Sequence, residues 1–244
     1  MMYVIQLIRS IIFNASMYLA MLVLGIVYLP YALLTRDGAL KACHTYCRYV
    51  RWSASWMIGL KTEVRGEPPI GEVMIAAKHQ SFLDVLMIFG SIPRGKFIMK
   101  SILKYAPIIG QYGLRIGCIP VDRGKRGQAI RKMLADVEAG RAQGGQLIIY
   151  PQGTRIPPGV KAPYKVGTAA LYKELQQPCV PVAANVGVFW PKRGFYRKPG
   201  LAVVEFLEPI QPGLTTAEYL EVLEERIETR SDALAAEAGF KADE

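Results

Sequence analysis

The first 60 residues consist largely of apolar runs that carry few charges. No charged residue lies between Arg9 and Arg36, and the apolar stretch over 11–34 is long enough to cross the hydrocarbon core of a bilayer or to lie deep within it. The run is too long for the core of a signal peptide, and no small-residue cleavage site follows it. It is apolar on all faces, which disfavours a buried core helix. We therefore predict a membrane-associated helix.

A second helix is predicted over 39–60, after a short polar turn. It interleaves Arg48 and Arg51 with Trp52 and Trp56. Basic and indole side chains both lie at the headgroup level of a bilayer, so this pattern is typical of an interfacial helix. An amphipathic helix that packs on a soluble domain remains the alternative. We interpret residues 1–60 as an N-terminal membrane-associated helical hairpin, whose basic residues favour a cytoplasmic position for the rest of the chain.

From residue 61 onward, short apolar runs alternate with amphipathic stretches. This alternation predicts an α/β domain over 61–244, with a mostly parallel sheet flanked by helices and an acidic C-terminal helix. The predicted strands are 62–65, 73–77, 95–99, 117–121, 146–150, 180–185 and 202–206. The predicted helices are 83–92, 128–141, 165–174 and 216–238, the last one starting at Thr215 or Thr216.

Residues suited to proton transfer or to phosphate binding follow three of the predicted strands, beyond the point where each strand ends. They are His79 and Asp84 after strand 73–77, Arg123 and Lys125 after strand 117–121, and Gly153, Thr154 and Arg155 after strand 146–150. Because ligands of such sheets bind beyond the carboxyl ends of the strands, we expect these residues to form one site. An imidazole oriented by a carboxylate can remove a proton from an alcohol. A guanidinium group can bind two oxygens of one phosphate at the same time.

Simpler explanations exist for each residue taken alone. Ser81 and Asp84 resemble a capping box in front of an apolar run, and Arg155 could be a surface turn residue. Their joint placement at consecutive strand ends favours a common site. A nucleophilic serine is the competing chemistry, since Ser81 follows His79 closely, but the chain has no G-x-S-x-G elbow. We therefore favour a direct transfer in which His79 deprotonates a bound hydroxyl.

Charge is distributed unevenly along the chain. The net charge is +10, with ten Lys or Arg and one acid over 94–132, but eleven acids and three bases over 205–244. A basic body suits phosphate groups and anionic lipids, whereas the acidic end predicts a solvated helix with no binding role. We expect no nucleic-acid partner, because no nucleic-acid-binding motif is recognisable. The two histidines and four cysteines lack metal-ligand spacing, so no metal site is expected.

Four ordered motifs of this chain resemble those of the glycerolipid acyltransferases. They are His79-x-x-x-x-Asp84, Val121-Asp122-Arg123, Pro151-Gln152-Gly153-Thr154-Arg155 and Val180-Pro181-Val182. The resemblance spans about residues 60–210. It is greatest to the bacterial members that act on 1-acyl-sn-glycerol-3-phosphate.

The resemblance implies transfer of a fatty acyl group from acyl-CoA or acyl carrier protein to the 2-hydroxyl of lysophosphatidic acid, which gives phosphatidic acid. His79 would be the general base and Asp84 its orienting partner. Arg123, Gly153, Thr154 and Arg155 would bind the acceptor phosphate. The acyl carrier is a co-substrate, so no further cofactor is expected. Together with the N-terminal hairpin, the resemblance predicts contact with membrane lipids at the bacterial inner (plasma) membrane, with the catalytic domain on the cytoplasmic side.

Two residues depart from the pattern of this family. Gln152 stands where the third motif usually has Glu, and Lys78 stands where the first motif commonly has Asn. Glutamine keeps an acceptor oxygen but loses the charge. We interpret Lys78, Gln152 and Lys125 as candidate acceptor contacts. The departures leave open another lysophospholipid or an amino-lipid as the acceptor, and a non-catalytic module that binds anionic lipid is the remaining alternative.

Overall fold

The N-terminal apolar region forms three helices in place of the predicted two. In the computed structural model, which describes residues 2–121, 135 and 144–241, they are α1 (Met2–Val27), α2 (Leu29–Leu34) and α3 (Arg36–Ile58). The predicted apolar helix is interrupted because Pro30, at the start of α2, has no N–H to donate to the preceding turn. Thr35 then caps α3, since its side chain accepts a hydrogen bond from the N–H of Gly38.

The rest of the described chain alternates between strands and helices, as predicted. The strands are β1 (Leu60–Arg65), β2 (Met74–Ala77), β3 (Gly95–Lys100), β4 (Ile119–Val121), β5 (Gln146–Ile149), β6 (Cys179–Ala184) and β7 (Gly200–Phe206). The helices are α4 (Leu83–Ser91), α5 (Ile109–Arg115), α6 (Val166–Leu175) and α7 (Thr216–Glu237), with short 3-10 helices at Ser101–Tyr105 and Val186–Val188. The predicted strand over 117–121 is shorter because Gly117 has a φ of 89°, outside the β region.

Three of the predictions fall on the part of the chain between β4 and β5. Arg123 and Lys125 lie outside the described residues. So does the predicted helix over 128–141, except for Ala135.

The seven described strands form one mostly parallel sheet, which confirms the predicted fold class. Their order is β1-β7-β6-β2-β5-β3-β4, and the pair β6–β7 is the antiparallel one among them. The central strands β2, β5 and β6 are buried along their whole length, as expected for parallel strands covered on both faces. The loops that follow β2 and β5 therefore start side by side at one edge of the sheet.

Side chains of β2 alternate between two layers of the core. Ile75 and Ala77 pack in the cluster that includes α1, α3 and α4, whereas Met74 and Ala76 pack in the cluster that includes α6 and α7. This alternation is the period of two of an extended chain. Helices thus cover both faces of the sheet.

One face of α1 is polar and binds the α/β domain. Gln6, Ser10 and Asn14 are spaced by four residues, so they share a face, and all three are buried. Gln6 donates hydrogen bonds to the carbonyls of Ile58 and Arg197, both at 2.9 Å. The N–H of Arg197 donates to Ser10 Oγ (3.0 Å), and its guanidinium donates to Asn14 Oδ1 (3.1 Å). The expectation of an apolar surface on all faces is therefore wrong for the inner face of this helix.

The acidic C-terminal helix packs on the sheet. α7 begins with the predicted start in the form of a capping box, in which Thr215 Oγ1 accepts from the Glu218 N–H (3.3 Å) and Glu218 Oε2 accepts from the Thr215 N–H (2.8 Å). Tyr219, Leu223 and Ile227 are fully buried on its inner face. The prediction of a solvated helix with no binding role is wrong for this face, because apolar residues recur among the acids at helical spacing.

Candidate active site

The turn between β2 and α4 brings an imidazole and a carboxylate together. Asp84 lies in the first turn of α4 and is fully buried, and its Oδ1 lies 2.8 Å from Nδ1 of His79. An ionised carboxylate only accepts hydrogen bonds, so the contact selects the imidazole tautomer with its proton on Nδ1, in which Nε2 is the proton acceptor. The His79 side chain remains 18 % exposed. This arrangement is that of a general base oriented by an acid.

The second oxygen of Asp84 holds the turn itself. Oδ2 accepts hydrogen bonds from the backbone N–H groups of Gln80 (2.8 Å) and Ser81 (2.7 Å). Ser81 Oγ accepts from the Leu83 N–H at 2.9 Å. Only half of the predicted capping box is therefore present, because the Ser81 hydroxyl binds the Leu83 N–H in place of that of Asp84, and α4 begins with Phe82 as its N-cap. The Asp84 carboxylate binds both the turn and the imidazole. Ser81 is fully buried and engaged in the cap, which argues against a nucleophilic serine.

Tyr150, directly after β5, fixes the plane of the imidazole. Its ring stacks on His79 with centroids 4.0 Å apart and an interplanar angle of 23°, and Phe97 stacks behind it at 6.4 Å. Burial and the negative charge of Asp84 raise the pKa of Tyr150 well above its usual range, so its hydroxyl stays neutral. Sequence analysis assigned no role to Tyr150, although it stands directly before the third motif.

The loop after β5 brings Arg155 to the same edge. Gly153 adopts a φ of 69°, which favours glycine, and its N–H donates to the Tyr150 carbonyl at 2.8 Å. The Ile156 N–H donates to the His79 carbonyl at 2.8 Å, so this loop is joined directly to the turn that carries the base. The first and third motifs therefore meet, as predicted from their strand ends.

Two lysines beside this loop were missed by sequence analysis. Lys192 Nζ lies 3.4 Å from Thr154 Oγ1, and the Lys192 carbonyl accepts a hydrogen bond from Arg155 at 3.3 Å. The Lys165 ammonium lies so close to Gly153 that a Cβ there would be 2.7 Å from Nζ. Lys165 is 10 and Lys192 is 37 positions after Arg155, so neither belongs to the third motif. With Arg155, they put three cationic side chains at one loop, which suits the binding of a phosphate.

The side chains of Lys78 and Gln152 bind another residue of the protein and are not free to contact an acceptor. Both side chains are buried, and both bind Glu228 of α7. Lys78 forms an ion pair with Glu228 Oε2, and Gln152 Nε2 lies 3.3 Å from Oε1. Their predicted role as acceptor contacts is thus without support here, because their polar atoms already have partners inside the protein.

The described residues contain no group of three His, Cys, Asp or Glu placed to hold a metal ion. What the arrangement can do chemically follows from its two parts. An oriented imidazole can accept the proton of a hydroxyl, and the adjacent cations can hold an anionic group of the same molecule.

Comparison with known proteins agrees with this geometry. Residues 61–185, just over half of the chain, match the family model described as Acyltransferase. The chain is 31 % identical over 157 residues to a 1-acyl-sn-glycerol-3-phosphate acyltransferase of Pseudomonas aeruginosa, covering 64 % of this chain and 61 % of that protein. It is also 31 % identical over 161 residues to the enzyme of that name from Saccharomyces cerevisiae, covering 63 % and 53 %. The matched regions thus span between half and two thirds of these relatives.

The fold has a solved counterpart. The crystal structure of the 1-acyl-sn-glycerophosphate acyltransferase PlsC from Thermotoga maritima superposes with a TM-score of 0.80 at 22 % identity, covering 97 % of this chain and 98 % of that one. At this identity the likeness establishes the fold alone. The family is established by the match over residues 61–185, which contains both motif loops of the site. The chain belongs to the Acyltransferase family.

Proposed function

We propose that this protein transfers a fatty acyl group from acyl-CoA or acyl carrier protein to the 2-hydroxyl of 1-acyl-sn-glycerol-3-phosphate, giving phosphatidic acid. The observation that carries the proposal is the oriented pair His79–Asp84, joined through the Ile156 N–H to the loop of Arg155. A base and a phosphate-binding cation in adjacent loops match an acceptor that carries both a hydroxyl and a phosphate. The names of the relatives support the same substrate.

The reaction needs only groups that the chain and its substrates supply. Nε2 of His79 takes the proton of the 2-hydroxyl while the hydroxyl oxygen attacks the thioester carbonyl. The tetrahedral intermediate then collapses, the carbon–sulfur bond breaks, and the thiolate leaves and takes up the proton. Asp84 stabilises the imidazolium between the two proton transfers. The thioester is already activated, so no cofactor is needed beyond the acyl carrier as co-substrate.

Binding of the acceptor is assigned to the cationic loop. The Arg155 guanidinium can hold two phosphate oxygens, and Lys165 and Lys192 add charge beside it. Gly153 and Thr154 contribute close backbone approach and a hydroxyl. Arg123 and Lys125, which are outside the described residues, are expected to join this group on the basis of the second motif alone.

The N-terminal helices are assigned to a membrane surface. By length and composition α1 could cross a bilayer. Its polar face is hydrogen-bonded to the domain through Gln6, Ser10 and Asn14, however, so the first half of α1 lies along the protein. Trp52 and Trp56 on α3 are 61 % and 59 % exposed, as expected of interfacial anchors. We assign these helices to one leaflet of the bacterial inner (plasma) membrane, with the catalytic domain on its cytoplasmic side.

The test is an acyl-transfer assay on purified membranes with lysophosphatidic acid and a labelled acyl-CoA or acyl carrier protein. Wild type and His79→Ala are compared, and the lipid product is identified by mass spectrometry. Phosphatidic acid formed by wild type and not by His79→Ala is the expected result. Product from both proteins at equal rates would overturn the role of the base. No product from wild type with either donor would overturn the assignment of lysophosphatidic acid as the acceptor. Other lysophospholipids and amino-lipids would then be tried.

A further inference from the structure

A buried ion pair lies on the face of the sheet opposite to the catalytic base. The chain stays extended past β2, since the Lys78 N–H donates to the Val182 carbonyl at 2.8 Å. Consecutive side chains of an extended chain point to opposite faces, so His79 turns toward α4 and Lys78 toward α7. There the Lys78 side chain, 3 % exposed, pairs with Glu228, which is 19 % exposed.

Glu228 receives donors from three separate segments. Lys78 comes from the turn of the first motif, and Gln152 comes from the loop of the third motif, with Nε2 at 3.3 Å from Oε1. Tyr164, just before α6, donates its hydroxyl to Oε1 at 2.8 Å. Burial and the Glu228 charge raise the pKa of Tyr164, so its hydroxyl keeps its proton and remains a donor. One carboxylate of α7 therefore ties together the loops on which the proposed reaction depends.

These ties act within three residues of each functional group. Lys78 precedes His79 directly, and Gln152 is three residues before Arg155. The Lys165 N–H also donates to the Pro151 carbonyl at 3.0 Å, which continues the connection into α6. A buried ammonium without its partner is strongly unfavourable, so losing Glu228 would force Lys78 and its turn to move. All of these contacts of Glu228 are with protein groups. We assign no contact between Glu228 and the substrate.

We infer that Glu228 is a positioning residue for the acyl transfer site, which holds the loops of His79 and Arg155 in register through Lys78 and Gln152. The inference rests on the proposed function, because it assigns those loops to the base and to the acceptor phosphate. The acidic C-terminal helix thus contributes to catalysis without reaching the substrate.

The first test compares Glu228→Gln with Glu225→Gln, an exposed residue of the same helix that loses the same charge. Kinetics are measured well below the melting temperature of each variant and normalised to folded protein. We expect Glu228→Gln to raise KM for lysophosphatidic acid and lower kcat, each by at least about tenfold, because displacements of about 1 Å can cost about 100-fold. KM for the acyl donor should change much less, and Glu225→Gln should match wild type. If folded Glu228→Gln protein has the kcat and KM of wild type, the inference is overturned.

A second variant separates positioning from simple folding. Lys78→Met combined with Glu228→Gln removes both charges. Removing both charges of a buried pair often avoids the loss of stability that follows when one partner is removed. We expect its melting temperature to return toward wild type while KM for lysophosphatidic acid stays raised about tenfold, given the same loss of loop register. Wild-type kcat and KM in this double variant would show that the pair serves folding alone and would overturn the inference. If Glu228→Gln cannot be obtained folded, the double variant decides.

Failure of the inference can be distinguished from failure of the proposed function. His79→Ala is assayed in parallel with the Glu228 variants. An inactive His79→Ala beside fully active Glu228 variants would overturn the positioning role and leave the function standing. Wild type that makes no phosphatidic acid would overturn both.

Discussion

The Nδ1 atom of His79 lies 2.8 Å from Oδ1 of Asp84, and the other oxygen of the same carboxylate is held by two backbone N–H groups. The carboxylate is therefore fixed by the turn before any substrate arrives. Tyr150 stacks on the imidazole from the neighbouring strand. The imidazole is thus oriented by the Asp84 carboxylate at one edge and by an aromatic ring on one face. This is the preorganisation that the proposed role as a general base requires.

Asp84→Asn should nearly abolish acyl transfer while the protein stays folded. Asparagine keeps the size of the side chain but replaces one of the two acceptor oxygens by an N–H₂ group. If the remaining oxygen binds the N–H groups of the turn, the N–H₂ group faces Nδ1 of His79, and the imidazole can no longer carry its proton there. We expect kcat to fall by a factor of about 10⁴, as for the same change in a Ser-His-Asp triad. The control is Asp37→Asn, because Asp37 is exposed and its ion pair with Arg94 lies at the surface. A variant that keeps most of the wild-type kcat would contradict the assigned role.

Ser81→Ala should reduce stability and leave turnover near the wild-type value. The lost hydrogen bond from the Leu83 N–H is worth about 1 kcal/mol, which lowers the melting temperature by about 2–4 °C for a chain of this size. Calorimetry and the acyl-transfer assay measure the two effects separately. Loss of activity without loss of stability would instead favour a covalent mechanism through Ser81.

Arg155→Ala should weaken binding of the acceptor much more than binding of the donor. A charge-assisted hydrogen bond is worth about 1.5–3 kcal/mol, so KM for lysophosphatidic acid should rise by about 10- to 100-fold. The KM for the acyl donor, measured at saturating acceptor, should change little. Arg226→Ala is the control, since Arg226 is exposed on α7 and donates to the Glu208 carbonyl. Equal increases in both KM values would make Arg155 a structural residue only.

Replacing Trp52 and Trp56 together by serine should weaken membrane binding and preserve activity on detergent-dispersed substrate. The two rings are exposed neighbours on α3, with centroids 5.5 Å apart. Burying an aromatic side chain contributes about 1.5–3 kcal/mol, so loss of both should reduce sedimentation with phospholipid vesicles by at least about tenfold. Ile70→Ser is the control, because Ile70 is an exposed apolar residue in the loop before β2. Vesicle binding equal to that of wild type would place the membrane surface elsewhere.

Sequence by itself determined those features that depend on neighbours along the chain. The apolar alternation located the strands of the described sheet, and the spacing of His79 and Asp84 predicted a pair that one turn of backbone brings together. The capping box at Thr215 was readable for the same reason. The His79–Asp84 contact and the capping box join residues at most five positions apart. Local pattern and local geometry are therefore sufficient to predict them.

Only the tertiary structure decided which distant residues complete the site. Lys78 and Glu228 are separated by 150 positions along the chain. Ser10, on the polar face of α1, binds Arg197, which is 187 positions away. Such contacts depend on the order of strands in the sheet and on which face each helix covers, and neither is encoded in a local run of residues. For that reason the acidic helix was predicted to be solvated, and Lys78 and Gln152 were predicted to face a ligand. Once α7 packs behind β2 and β5, the charge of Glu228 meets the buried charge of Lys78, and burial of the one requires the other.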